Sequence, residues 1–217
     1  MAINPIICLD VESGGLDCKK QPITQIAYQA FELDTYKPLL EFSTYIQPYA
    51  NLEYQEAAMK YTGITFAQLA SGMDIKEVVK KLCEDLKEIT SSHTKKPIIM
   101  GHNIGFDIGF LMFAFNFCKV DITKFLNCNH DIPASIDTLS LAKQKWANNP
   151  KITSFNLSSC CNTAGVEITD AHHAMNDVKA TKELFFYFTN GLRSGDNQAT
   201  EDTVKHTRVR NNFKFQF

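Results

Sequence analysis

The stretch Ile6-Ile7-Cys8-Leu9-Asp10-Val11-Glu12 constrains this chain more than any other. A short apolar run reads as a buried strand, and here it passes straight into two carboxylates one residue apart. Side chains alternate along a strand, so Asp10 and Glu12 point to the same face. Like charges on one face repel unless a positive charge sits between them, and a divalent cation is the simplest way to supply it. The competing reading is a solvated strand end with two incidental acids. Ser13-Gly14-Gly15 then ends the strand, since glycine permits a tight turn.

The length, 217 residues, suits one domain with a full hydrophobic core. No apolar run is long enough to span a bilayer, and Met1–Pro5 lacks the basic-then-apolar pattern of a secretory signal. The expectation is a cytoplasmic protein with no membrane contact. Seven cysteines include no Cys-x-x-Cys pair, and Cys128 and His130 are followed by no second ligand pair at zinc spacing. Reduced cysteines are expected. A formal net charge of −2 makes the whole molecule no electrostatic attractor for nucleic acid, so any such binding uses a local surface.

Along the chain, residues 21–33 alternate apolar and polar as on a half-buried strand, and 40–46 return as a third strand, making an antiparallel meander. Glu53 to Lys60 reads as a short helix, and Thr65 is a candidate cap for the next one. Asp74 to Ile89 is a stronger helix, with Asp74 and Glu77 at capping-box spacing and Ile75, Val78, Val79, Leu82, Leu86 and Ile89 in one stripe. Pro97 to Asn103 is a second apolar run ending in a turn, which predicts a buried central strand. A helix follows from about Asp107 to Phe117, and residues 132–141 cross a loop or short strand into a helix near Trp146. Asn156 to Ala164 is a further helix, and a last long one opens within Asp170-Ala171-His172-His173 and runs to about Leu192. The fold class is α/β, a mixed β-sheet flanked by α-helices.

Asp107 suits a helix N-terminus, and Asp177 lies on the turn after His172-His173-Ala174. His172 and Asp177 are five apart, about 140° around an ideal helix. They share a site only if the helix begins at or after His172. The order Asp-x-Glu, Asn-x-x-x-Asp, His-x-Ala-x-x-Asp resembles the DEDDh family of 3′–5′ exonucleases, which has a ribonuclease H-like fold. Asp10-Val11-Glu12-Ser13-Gly14-Gly15-Leu16 is similar to that family's first motif, with Gly14 replacing a threonine, and Gly101-His102-Asn103-Ile104-Gly105-Phe106-Asp107 is a close match to its second. Thr62-Gly63-Ile64-Thr65 and Ile136-Asp137-Thr138-Leu139 also fit, the latter at a position usually structural. The resemblance covers residues 6–190 and gives a domain over 1–195, with 196–217 as a basic, aromatic tail.

The resemblance implies Asp10, Glu12, Asp107 and Asp177 as metal ligands and His172 as the base. Two divalent ions, Mg²⁺ or Mn²⁺, fit four carboxylates and supply what phosphodiester hydrolysis needs, an activated hydroxide and charge stabilisation on the leaving oxygen. A histidine with an ordinary pKa of about 6.5 can take the proton from the attacking water. Ser13, Gly14 and Leu16 are the candidate contacts to the terminal nucleotide, Ile64 and Phe106 candidate base-packing residues, and Asn103 a candidate for sugar or phosphate. Core packing competes for Ile64 and Phe106. The expected activity is release of nucleoside monophosphates from the 3′ end of single-stranded nucleic acid, DNA first. An RNA-trimming or oligoribonuclease-like enzyme is the alternative, and an inactive polymerase-associated subunit the third reading. Expected partners are single-stranded DNA or RNA 3′ ends. Phe213, Phe215 and Phe217 alternate in the tail, which suggests docking on the chain's own sheet, on a second copy or on a polymerase-type partner; the competing reading is that the tail's Lys and Arg grip substrate phosphates while a Phe stacks on a base.

Overall fold

β1 (Pro5–Ser13) and β2 (Ile23–Glu32) pair antiparallel, and β3 (Pro38–Tyr45) adds to β2 in the same sense, giving the expected meander. The structure is a computed structural model that describes residues 5–93, 95–150, 152–168 and 173–193. After β3 come α1 (Glu56–Thr62), α2 (Phe66–Ala70) and α3 (Ile75–His93). β4 (Ile98–Gly101) then enters the sheet parallel to β1 and leads into α4 (Gly105–Phe117). Two short strands, β5 (Cys128–Asn129) and β6 (Ile132–Pro133), pair with each other. β7 (Ser135–Asp137) lies parallel to β4, and α5 (Thr138–Lys145), α6 (Leu157–Ala164) and α7 (Ala174–Arg193) complete the described chain. The sheet order is β3-β2-β1-β4-β7. This is the mixed, helix-flanked sheet of the ribonuclease H-like class that the motif order implies.

Alternation along β1 sorts its residues between two cores. Ile7, Leu9 and Val11 pack with the α3 stripe and with Ile108, Leu111 and Phe115 of α4. Ile6 and Cys8 pack with Met100 and with Ala174, Val178 and Phe185 of α7. A third cluster joins Trp146, Cys160, Cys161, Leu184 and Phe188. β2 departs from expectation. It is buried on both faces, not half-buried. Ile26 and Tyr28 meet the α3 side while Ala27 and Phe31 meet α7, so its polar-looking alternate positions sit beneath a helix instead of water. The half-exposed strand is β3, at the sheet edge.

Several boundaries also differ. α1 starts at Glu56, because the amide of Glu53 is engaged by the Lys20 carbonyl. Thr65 caps α2 in a full capping box with Gln68. The Asp74 carboxylate accepts from the Lys76 amide at 2.7 Å, and α3 runs on through His93 into what reads as a polar loop. α4 begins two residues before Asp107, and α7 begins at Ala174. The predicted opening of that helix at Asp170 to His172, and every expectation for the 196–217 tail, lie outside the described residues. All seven cysteines are free thiols. Among the described residues no helix is long and apolar enough to cross a membrane.

The turn after β4 is tied down by β7. Asp137 caps α5 by accepting from the Leu139 amide at 2.9 Å, and the same oxygen accepts from the Asn103 amide at 2.9 Å. Thr138 donates to the Gly101 carbonyl at 3.1 Å. Asn103 is held at φ 64°, in the left-handed region. At Gly101 a Cβ would come within 2.4 Å of the Ile104 side chain and 3.0 Å of the Leu9 carbonyl, so only glycine lets β4 approach β1 here. Asp137→Ala removes a helix cap and orphans a loop amide. It should destabilise the protein by about 1–2 kcal/mol in urea unfolding with an unchanged m value; an unaltered midpoint would show that the turn holds itself.

Candidate active site

Strands β1 and β4 stay paired only from Ile6–Ile98 to Cys8–Met100. Beyond that β4 turns away and β1 continues, which leaves the Val11 amide without a strand partner on that side. Asp107 takes it, its Oδ1 accepting from Val11 N at 2.9 Å. This single bond brings the first turn of α4 against the acidic end of β1 and buries the Asp107 carboxylate to 4% exposure. On the α7 side, Asp10 and Glu12 continue the face that Ile6 and Cys8 present to Ala174 and Val178. Asp177, in the first turn of α7, arrives on the same face. One carboxylate oxygen each of Asp10, Glu12 and Asp177 lies within 4.8 Å of the others. Asp107 stands beside this triple, with one oxygen turned to the backbone.

The electrostatics follow from the crowding. Burial pushes the Asp10 carboxyl well above the usual carboxylate range, and the charges of Asp107, Glu12 and Asp177 push it further. Burial, then Asp177, raises Glu12 to about 7. Burial raises Asp107 to about 8, against the pull of its hydrogen bonds from Val11 N and its own amide. Four acids gathered at one strand end, with Asp10, Glu12 and Asp107 displaced toward their neutral forms, match the hard-oxygen donor set of a divalent cation. Among the described residues, the charges that shift Asp10, Glu12 and Asp107 are those of other carboxylates, while the charge of Lys182 is felt at neighbouring Cys8.

A cleft of about 380 Å³ opens from the cluster, walled by Glu12, Ser13, Leu16, Tyr61 and Phe106 among others. Leu16 is 83% exposed and forms one wall. The rest of its turn is less available than the glycines suggest. Ser13 Oγ donates to the Gly15 carbonyl at 2.6 Å, and the Gly14 amide donates to the Pro22 carbonyl at 2.9 Å. Gly14 and Gly15 do not adopt positive φ. Gly15 is required for space, because a Cβ there would meet the Gln21 side chain at 2.5 Å. Ile64, only 6% exposed, sits in the core and does not line the cleft. Asn103 lines a neighbouring groove with His102, Lys143 and Asn156. Tyr61, 68% exposed on α1, was not singled out from the sequence and does line the cleft; an aromatic on a short helix just before Thr62-Gly63 was the available signal.

The histidines separate. His172 lies outside the described residues. His173 directly precedes α7, and its carbonyl accepts from the Asn176 and Asp177 amides at 2.8 and 3.2 Å. Its Nε2 is 3.2 Å from Gln25 Nε2. His102 is an internal brace between Thr138 and the Phe155 carbonyl, and burial lowers its pKa.

Comparison with known proteins identifies the family. The exonuclease family, RNase_T, matches residues 7–185. Ribonuclease T of Vibrio cholerae serotype O1 is 27% identical over 192 residues, spanning 85% of this chain and 81% of that protein. The DNA polymerase III PolC-type protein of Thermotoga maritima is 26% identical over 210 residues, 94% of this chain but 14% of that one. Among solved structures, E. coli exonuclease I in complex with a dT13 oligonucleotide superposes with a TM-score of 0.68 at 23% identity. That likeness concerns the fold; it covers 88% of this chain, which spans 42% of the exonuclease I chain.

The raised carboxyl pKa values set a pH dependence for the metal-free protein. Glu12 moves from 4.5 unfolded to about 7 folded, and Asp107 from 3.8 to about 8. The folded state therefore holds protons that the unfolded state releases. The stability this confers is fully present below about pH 4 and is lost as pH rises through 7 to 8. In EDTA, the melting temperature should fall over that range by at least a few degrees, and Asp10→Asn should raise it near pH 8 by relieving repulsion. A melting temperature that is flat with pH and lowered by Asp10→Asn would contradict the crowding.

Proposed function

The chain belongs to the exonuclease family as a 3′–5′ exonuclease domain, and we propose that it trims single-stranded nucleic acid from the 3′ end in a divalent-metal-dependent reaction, releasing nucleoside monophosphates. The observation that carries this reading is the convergence of Asp10, Glu12 and Asp177 within 4.8 Å, beside buried Asp107, on a cleft that Glu12 shares.

In this reading Asp10, Glu12, Asp107 and Asp177 hold two Mg²⁺ or Mn²⁺ ions, which when bound supply an activated hydroxide and stabilise charge on the leaving oxygen. The chain's own residues do the rest. Leu16, Phe106 and Tyr61 present apolar surface to the terminal base, and stacking of that kind tolerates any sequence. They orient the end of the strand so that its last phosphodiester lies over the carboxylates. Asp107 keeps β1 and α4 in register through the Val11 amide. His172 takes the proton from the attacking water. Two features support that choice over its neighbour. α7 starts at Ala174, so His172 is not required to follow the helical phase that would turn it about 140° from Asp177. His173, by contrast, has its Nε2 committed to Gln25.

DNA is the first substrate in this proposal, supported by the polymerase relative that matches almost the whole chain. RNA is a second reading, supported by the ribonuclease T relatives. The two differ at the 2′-OH, a donor and acceptor that lets a site tell one sugar from the other.

Labelled DNA and RNA single strands of one sequence, digested with Mg²⁺ and with EDTA, test the proposal. A ladder shortening from the 3′ end with Mg²⁺ alone is expected, faster on DNA; no metal-dependent shortening of either strand overturns it. Asp10→Ala, Glu12→Ala, Asp107→Ala and Asp177→Ala should each nearly abolish turnover with the fold kept. His172→Ala should slow turnover by roughly 10²–10⁴-fold, and His173→Ala by much less. The reverse order of the two histidine variants would move the base to His173.

A further inference from the structure

Gln25 is a buried amide on β2, 2% exposed, and none of the motifs includes it. In the ladder it stands directly opposite Glu12. Directly opposed side chains on antiparallel strands share a face and touch, so Gln25 lies next to the acidic cluster on the α7 side. Both ends of its amide reach the start of α7. Gln25 Oε1 accepts from the Ala174 amide at 3.2 Å, and Gln25 Nε2 lies 3.2 Å from His173 Nε2. A backbone N–H can only donate, which identifies the oxygen of Gln25 at Ala174 and leaves its amine facing His173. His173 Nε2 is then the acceptor, and the ring proton sits on Nδ1. That Nδ1 is buried with no hydrogen-bond partner among the described residues.

The first four amides of a helix have no acceptor within it. In α7 the Asn176 and Asp177 amides turn back to the His173 carbonyl, and the Ala174 amide goes across to Gln25. The helix start is thus fixed from another strand, the one that pairs with the strand carrying Asp10 and Glu12. Asp177 follows within the same turn. A helix turns about 100° and advances 1.5 Å per residue, so a slip of one residue at the start of α7 would swing Asp177 off the face it shares with Asp10 and Glu12.

We propose that Gln25 is a positioning residue for the metal centre: its amide caps α7 from across the sheet and sets the separation between Asp177 and the Asp10–Glu12 pair. This rests on the metal-centre reading above. It assigns Gln25 no contact with metal or substrate. The device resembles the outer hydrogen bonds that orient metal ligands elsewhere, whose loss typically weakens metal binding about 10–100-fold.

The test uses the full chain without substrate. Mn²⁺ binding is measured by calorimetry for the parent, Gln25→Leu and Gln25→Glu, with melting temperatures in EDTA and kcat and KM on a labelled oligonucleotide alongside. Gln25→Leu should bind Mn²⁺ about tenfold more weakly and lose kcat at fixed metal with KM little changed. Gln25→Glu keeps an acceptor for the Ala174 amide and should recover most of the Mn²⁺ affinity. It also places an acceptor against His173 Nε2, so the nitrogen NMR signals of that ring should report a proton moved from Nδ1 to Nε2. If Gln25→Leu does not fold, Gln25→Asn, whose amide is one methylene too short, carries the same expectation. A Gln25→Leu or Gln25→Asn protein that binds Mn²⁺ like the parent overturns the proposal alone. Equal losses in the Leu and Glu variants that track the fall in melting temperature overturn it too, leaving Gln25 as a packing group. A parent that binds no Mn²⁺ overturns the metal-centre reading together with it.

Discussion

Mutual repulsion among the carboxylates at the end of β1 is the constraint around which this molecule is arranged. Asp10 is pressed on by burial and by three other acids. A fold that only needed stability would place lysine or leucine there. Instead the sheet, α4 and α7 each bring another acid to the same point. The Asp107–Val11 bond holds α4 against the gap where β1 and β4 part. The Asp137 bonds to the Asn103 and Leu139 amides brace the turn that leads into α4. Gln25 reaches across to α7. Each contact is an ordinary hydrogen bond, and together they keep four like charges adjacent.

The hydrophobic cores make that arrangement affordable. Apolar residues of β1 sit at 0–5% exposure between two helix layers, and burial of this kind stabilises by about 25 cal/mol per Å² of apolar surface removed from water. A strand locked on both faces does not slip in register, since a slip of one residue would turn every side chain to the other face. The acids at its end are consequently presented by a rigid element. α3 contributes apolar cover through Ile75, Val78, Leu82 and Leu86 and a buried acid, Asp85, that accepts from the Tyr28 hydroxyl, whereas α7 contributes apolar cover and an acid of the cluster.

What the sequence disclosed depended on how local the physics was. Asp10 and Glu12 share a face because strands alternate, a rule contained in three residues. The α3 stripe and the Thr65 cap are equally local, and they stand where they were expected. β2 was misread as half-buried because its second cover, α7, comes about 150 residues later in the chain. Asp107 was recognisable as an acid at a helix start, but its bond to Val11 depends on where β4 leaves β1. Ile64 drew attention through a motif resemblance, yet its side chain turns into the core. Gln25 could not be seen at all, because a glutamine on a strand acquires meaning only from the helix terminus placed opposite it.

A crystal equilibrated with Mn²⁺ near pH 8, with the ion located by its anomalous scattering, addresses the central claim without reference to turnover. An anomalous peak is expected among the carboxylate oxygens of Asp10, Glu12 and Asp177, with Asp107 beside it. Full-strength peaks elsewhere on the protein and none at this cluster would contradict it.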